Sequence, residues 1–295
     1  MTSPAGPEPP FRWDLVAPDR LGSMLPEGAQ HAEPWFLDAL VECAGRVLAR
    51  SGGGDLVFVG RSLDSMFDLL GGALAEVGAE QRVLRLPLSF QRGAPSPSGR
   101  RWVVPELTPR QLVAARELLA SVGASPALLA RAGRPVTFVD VVSSGSTFTD
   151  LFGVLREWVE DAGAPWRTVR RRLRFVGVTR RGTTSPNAFR WQEEAPWTRE
   201  LSGASVLNVS LDPEVWSWFG NWQDKLTRSY RPDRWTGAGE DPERGERTRQ
   251  ALAEAVALVS YGRSREGRRR IARAVAGEPA LSQPWLRSLA RRLNG

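Results

Sequence analysis

Apolar residues follow two rhythms along this chain, and the rhythms alternate. Residues 34 to 50 place them at helical spacing, and the glycines of SGGGD close that helix. LVFVG at 56 to 60 is a short apolar run bounded by glycine, which predicts a strand. It leads into RSLDSMFDLLGGALAEVG, where Met66, Phe67, Leu69, Leu70 and Leu74 mark an amphipathic helix, and RVLRLPLSF at 82 to 90 predicts the next strand. Strand, helix, strand is the unit whose crossover lays two strands parallel.

The stretch QRGAPSPSGRRWVVPEL at 91 to 107 has no periodicity and reads as a mobile loop. Thr108 and Pro109 predict the N-cap and first residue of a helix through about Ser121, and SPALLARAG a short second helix. VTFVDVV at 136 to 142, RLRFVGVTR at 172 to 180 and SVLNVSL at 205 to 211 complete five predicted strands, with TFTDLFGVLREWVEDAG as the helix after the first of these. Such alternation predicts an α/β fold, a three-layer parallel sheet of about five strands. The chain divides into a flexible Pro-rich N-terminus at 1–30, the α/β core at 31–211, and a Trp- and Arg-rich, mostly helical region at 212–295. No internal repeat is visible.

Composition adds constraints. The chain has 295 residues, 41% hydrophobic and 25% charged, which suits an ordinary folded protein with a full core. No run approaches the roughly 18 apolar residues of a membrane span. The start, MTSPAGPEPPFRWD, lacks the basic segment and apolar core of a secretory signal, so the expectation is a soluble, cytoplasmic protein with no membrane partner. Cys43 is the one cysteine, on the 34–50 helix, and reads as a small buried hydrophobe. His31 is the one histidine, which excludes histidine triads and multi-histidine metal sites.

The net charge of +7 and pI near 10.8 raise nucleic-acid binding, but arginine interleaves with Glu and Asp in most segments and Lys225 is the sole lysine. The exceptions, RTVRRRLR at 167 to 174 and GRSREGRRRIARAV near the C-terminus, read first as solvated helix faces; a phosphate-binding or RNA-binding surface is the alternative.

Candidate chemistry concentrates in VTFVDVVSSGSTF. In open parallel sheets, ligands bind at the carboxyl ends of strands, where loops enter helix N-termini with unpaired amides and partial positive charge. A loop of Ser143, Ser144, Gly145, Ser146 and Thr147 brings backbone close and adds hydroxyl donors, which suits a phosphate monoester. The alternative is a turn in which Ser146 or Thr147 caps the helix; capping needs one hydroxyl, and four are present. Neither GxxxxGK[ST] nor GxGxxG occurs here.

VTFVDVVSSGSTF resembles the ribose-phosphate signature of type I phosphoribosyltransferases, an apolar strand, two acidic residues, two variable apolar residues and a Thr-Thr-Gly-Ser-Thr loop. The resemblance covers about residues 55 to 211. It implies that Ser143, Ser144, Gly145, Ser146 and Thr147 wrap a 5′-phosphate, and that Asp140, at the second acidic position, holds the ribose and indirectly tunes a Mg2+ ion. The first acidic position is Val139, which removes one expected carboxylate. Gly60, Arg61 and Ser62, after the first strand, correspond to the family's pyrophosphate loop, where an arginine can fork onto phosphate oxygens. The 91–107 stretch lies where the family carries its mobile loop, and its Arg100 and Arg101 would reach the leaving pyrophosphate. The segment around Trp216, Trp218, Trp222, Asp224, Lys225, Tyr230, Asp233 and Trp235 would form part of a base-binding hood or, alternatively, pack between sheet and helices.

Implied by the resemblance is an enzyme that binds phosphoribosyl diphosphate or a ribose 5-phosphate compound and makes or breaks an N-glycosidic bond at C1. Asp140, Arg61 and Arg101 would carry the reaction, with a nucleobase-like acceptor; a homodimer is compatible with it. The loss of the acid at 139 keeps a second expectation open, a non-catalytic phosphoribosyl-ligand sensor that contacts RNA or protein through its basic C-terminus.

Overall fold

The computed structural model describes residues 6–95, 102–182, 191–237, 239 and 241–295. Its sheet has five strands, all parallel: β1 (Asp55–Val59), β2 (Val83–Leu86), β5 (Val136–Val142), β6 (Leu173–Arg180) and β7 (Val206–Leu211), in the order β2-β1-β5-β6-β7. A separate two-residue hairpin pairs β3 (Ala94–Pro95) antiparallel with β4 (Trp102–Val103). The 91–107 stretch, expected to lack regular structure, therefore carries this hairpin, while Arg100 and Arg101 lie outside the described residues. β5 is the middle strand, and β1 lies between β2 and β5, with Leu56 opposite Val83 on one side and Asp55 opposite Val136 on the other.

Period-two alternation divides each strand between two cores. Leu56, Phe58, Val139, Val176 and Val209 join the core formed with α1 (Leu37–Arg50) and α2 (Asp64–Glu76). Val57, Val59, Phe138, Val142 and Phe175 join the opposite one, with α3 (Pro109–Ser121), α4 (Pro126–Arg131) and α5 (Ser146–Asp161). The result is three layers. α3 begins with Thr108 as the expected N-cap, and Gln111 completes a capping box: the Thr108 hydroxyl accepts from Gln111 N while the Gln111 side chain accepts from Thr108 N. By length and apolarity residues 109–131 resemble a membrane span, yet they form two helices whose Leu118, Leu119 and Leu129 are buried in the second core.

The C-terminal helices α8 (Glu246–Arg263), α9 (Arg265–Ala276) and α10 (Pro284–Asn294), which follow the short α6 (Trp166–Val169) and α7 (Pro213–Ser217), are part of the first core rather than an appendage. Leu258, Ile271, Val275, Leu286 and Leu293 are fully buried there. α2 and α8 meet backbone to backbone: a Cβ on Gly72 would lie 2.4 Å from Val259 O, and one on Gly262 would lie 2.2 Å from Leu69 O. The N-terminal residues have little regular structure, but Leu15, Leu21 and Met24 pack on Leu252 and Val256 of α8.

The two basic stretches differ: the first is tied to backbone carbonyls, and the second is the exposed helix face expected of it. Arg170, Arg172 and Arg174 donate to the carbonyls of Glu200, Gly133 and Arg50, at the amino end of β6. In α9, Ile271, Ala272 and Val275 are buried and the arginines line the other side. Cys43 is fully buried and its thiol is pushed up to about 12 by desolvation, which fits its reading as a small hydrophobe. His31 is exposed, in a one-turn helix ahead of α1.

Candidate functional site

A doubly wound sheet opens a crevice at the carboxyl edge where successive connections leave in opposite directions. Here that point lies between β1 and β5. The loops that flank it are the two singled out from sequence, Gly60-Arg61-Ser62 after β1 and Ser143-Ser144-Gly145 after β5.

The second loop is built on Gly145, which is the N-cap of α5 at φ +81°. No side chain caps this helix. Ser143, Ser144 and Ser146 are exposed, and the Thr147 hydroxyl donates to Asp140 instead of to a helix amide. The capping alternative is thus not how the turn is made, and the helix presents its amides beside three exposed hydroxyls. Gly145 also lies against the Trp191 ring: a Cβ there would come 2.3 Å from Trp191 Cε3. The indole is held in turn, Nε1 donating to Asn208 Oδ1 at 2.8 Å and Asn208 Nδ2 to Gln192 Oε1 at 3.1 Å.

Asp140 sits one residue before the last apolar pair of β5, on the same side as Phe138 and Val142. It is buried, and its Oδ1 accepts from Val141 N at 2.7 Å. Burial pushes its carboxyl up to about 8, against the hydrogen bonds from Val141 and Thr147 and the nearby charge of Lys225. Asp140 therefore holds its proton near neutrality. Between the ordinary carboxylate range, about 3.8, and about 8, the folded state binds more protons than the unfolded chain, so Asp140 lowers stability as pH rises through that window. Asp140→Asn removes this slope. The variant is expected to unfold at a higher temperature than the wild type at pH 8 to 9, with the difference shrinking toward pH 4; a difference independent of pH would contradict the burial of a titrating carboxyl.

In the first loop, Gly60 N donates to Leu86 O at 2.8 Å, which fixes the turn against β2. The half-buried Arg61 donates from Nη1 to Thr227 O at 2.7 Å, and burial lowers its pKa against the opposing charge of Asp64. Asp64 itself begins α2 within a buried ion network. Arg12 reaches Asp64 at 3.1 Å and Asp68 at 2.5 Å, and Arg85 reaches Asp64 at 2.9 Å. Burial raises Asp68 to about 6, whereas Arg85 and Arg12 overcome the same burial at Asp64 and hold it below the usual carboxylate range.

A third wall comes from the segment after α7. A π-helical turn, Trp218–Trp222, crosses the end of β5, where Gly220 faces Val141. The chain then runs along the first loop: Gln223 Nε2 donates to Ser65 Oγ at 2.7 Å, and Ser89 N donates to Tyr230 O at 3.0 Å. Lys225 lies between them, Nζ donating to Ser62 O at 3.1 Å and to Gln223 Oε1 at 2.5 Å, with the Phe219 ring 6.0 Å away. Desolvation lowers its ammonium to about 8, opposed by Asp64 and Glu254 and, more weakly, Asp140. Glu254 of α8, hydrogen-bonded to Gln223, is raised to about 7 by burial.

Sequence reasoning placed the two loops and Asp140 at one edge, but it gave Lys225 only a place in the aromatic segment expected as a hood and gave Gln223, Trp191 and Asn208 no site role. One signal existed for Lys225: it is the only lysine in a chain that uses arginine everywhere else. The aromatic segment divides between packing and surface. Trp235 and Tyr230 are buried and Trp216 donates to Val178 O at 3.0 Å, whereas Trp222 is 71% exposed and lines a groove of about 500 Å³ with Trp35, Trp218 and Arg180.

The magnesium ion implied by the resemblance does not fit these residues. Among the described residues there is no group of three or more His, Cys, Asp or Glu side chains placed to hold a metal. Val139 points into the first core with no exposure, Asp140 is desolvated and already accepts hydrogen bonds, and the charged group beside it is an ammonium. No protein-family model, curated protein or solved structure matches this chain.

Proposed function

We propose that this protein binds a ribose 5-phosphate compound at the carboxyl edge between β1 and β5 and makes or breaks an N-glycosidic bond at its C1. The observation that carries the proposal is the uncapped N-terminus of α5, where the amides and the exposed Ser143, Ser144 and Ser146 converge on one loop. A dianionic monoester satisfies all of these donors. Asp140 then lies on β5 three residues before Ser143, suited to the ribose hydroxyls, and the Gly60-Arg61-Ser62 turn lies across the crevice, suited to a diphosphate on C1.

With a diphosphate donor, the C1–O bond breaks with its electron pair leaving on the diphosphate. Positive charge spreads over C1 and the ring oxygen, and an acceptor nitrogen closes the new C–N bond and gives up its proton to solvent. The protein's contribution is to hold the two ends of the donor apart and in line and to stabilise the leaving charge. The groove beside Trp218 and Trp222 supplies aromatic faces for a nucleobase-like acceptor. Val139 and the protonated Asp140 favour a second reading, a sensor that binds the same ligand without turnover; product formation over many turnovers with any base would dismiss it.

Ser146→Asp is the direct test of the phosphate site. A carboxylate in the first turn of α5 favours the helix dipole, so the melting temperature should hold or rise. The same charge repels a phosphate by several kcal/mol, so ribose 5-phosphate affinity should fall about a hundredfold or more in calorimetric titration. Equal affinity in variant and wild type would place the ligand elsewhere.

A further inference from the structure

Resting on the ribose 5-phosphate reading above, we propose that Lys225 takes the place of a divalent cation in this site, so that a C1 diphosphate is bound without magnesium. Three placements lead here. The Lys225 ammonium is anchored on the carbonyl of Ser62, within the loop that faces C1, and on Gln223 Oε1. Both of these acceptors are neutral, and the carboxyls that act on the ammonium, Asp64, Glu254 and Asp140, do so without a direct hydrogen bond to it, so one of the three ammonium donors remains for a ligand. Arg61 projects from the same turn and is fixed on Thr227 O of the same segment. Two cations, Arg61 in the loop and Lys225 from the segment after α7, therefore meet at one turn.

The acidic side of the site is correspondingly depleted. A magnesium–diphosphate complex needs anionic oxygens or ordered water beyond its phosphates. Here the position for one carboxylate is the core residue Val139, and the Oδ1 of the other is turned onto Val141 N. A metal-free diphosphate has more negative charge to neutralise, and Lys225 with Arg61 supplies positive charge where such a diphosphate would lie. Phe219 below the ammonium and Gln223, itself held on Ser65, keep Lys225 from swinging out to solvent.

The test is calorimetric titration of the full chain with phosphoribosyl diphosphate and, separately, ribose 5-phosphate, each in EDTA and in millimolar magnesium. Wild type and Lys225→Met are compared, and ribose 5-phosphate reports whether the variant retains a folded phosphate loop. Expected are diphosphate affinities that agree within about twofold with and without magnesium, a loss of about tenfold or more for the diphosphate in Lys225→Met, and little change for ribose 5-phosphate. Diphosphate binding that requires magnesium, or that survives Lys225→Met, overturns the cation replacement and leaves the phosphate site standing. Failure of ribose 5-phosphate to bind wild type under any of these conditions overturns both.

Discussion

Gly145→Ala is expected to cost about 2–5 kcal/mol of stability and to abolish ligand binding together. Two effects add. The residue sits at φ +81°, where a side chain costs about 1–2 kcal/mol, and its Cβ would lie 2.3 Å from a buried indole, an overpacking worth about 1–3 kcal/mol. The indole cannot move aside cheaply, because its Nε1 is tied to Asn208 Oδ1. Relief therefore has to come from the loop, which is the candidate phosphate site. Thermal unfolding of Gly145→Ala, Trp191→Phe and the double variant separates the contributions. The double variant should be more stable than the sum of the single losses, since the smaller ring removes the clash but not the backbone strain. Strict additivity would show that the Trp191 contact does not constrain the loop.

Arg12→Ala should be the second severe change, although the residue lies in the irregular N-terminal segment. Asp64 and Asp68 are almost completely buried, and Arg12 and Arg85 are the cations that balance them. Removing Arg12 leaves one negative charge uncompensated in the core beside the first loop, a loss of about 3–5 kcal/mol. The pH dependence has a definite sign. Without Arg12 both carboxyls move up, so they hold protons in the folded state that the unfolded chain has released, and the variant loses stability as pH rises above the ordinary carboxylate range. The deficit relative to wild type should be smallest near pH 4 and largest above pH 7. Chemical denaturation across this range is the measurement; a deficit that does not vary with pH would mean that Arg12 acts through packing on Phe67 rather than through its charge.

The same residue shows why the N-terminus looked detachable. Proline-rich sequence with little periodicity carries no local signal for a contact 52 residues away, and only the folded chain brings Arg12 to Asp64. The C-terminal helices illustrate a related limit. Their apolar stripes predicted helices, and helices formed, but no stripe states which partner it covers. Gly72 and Gly262 decide that α2 and α8 meet at backbone distance, through two residues that contribute nothing to hydrophobic periodicity.

Local features were legible in the residues alone: five strands from short apolar runs, each within one residue of its observed start, with the strand expected at 82–90 ending early at Leu86, and the parallel sheet that their alternation with helices requires. The residues also located both loops at the carboxyl edge, because a strand that ends in Gly60 or in Ser-Ser-Gly has to turn there. Tertiary structure alone decided the rest. Strand order put those two loops side by side, burial fixed the protonation of Asp140, and the long return of the chain after β7 carried Lys225 onto Ser62, 163 residues earlier. Periodicity encodes which face of an element is apolar; the charge of a site depends on which distant side chains share its desolvated space, and that is a property of the packed chain.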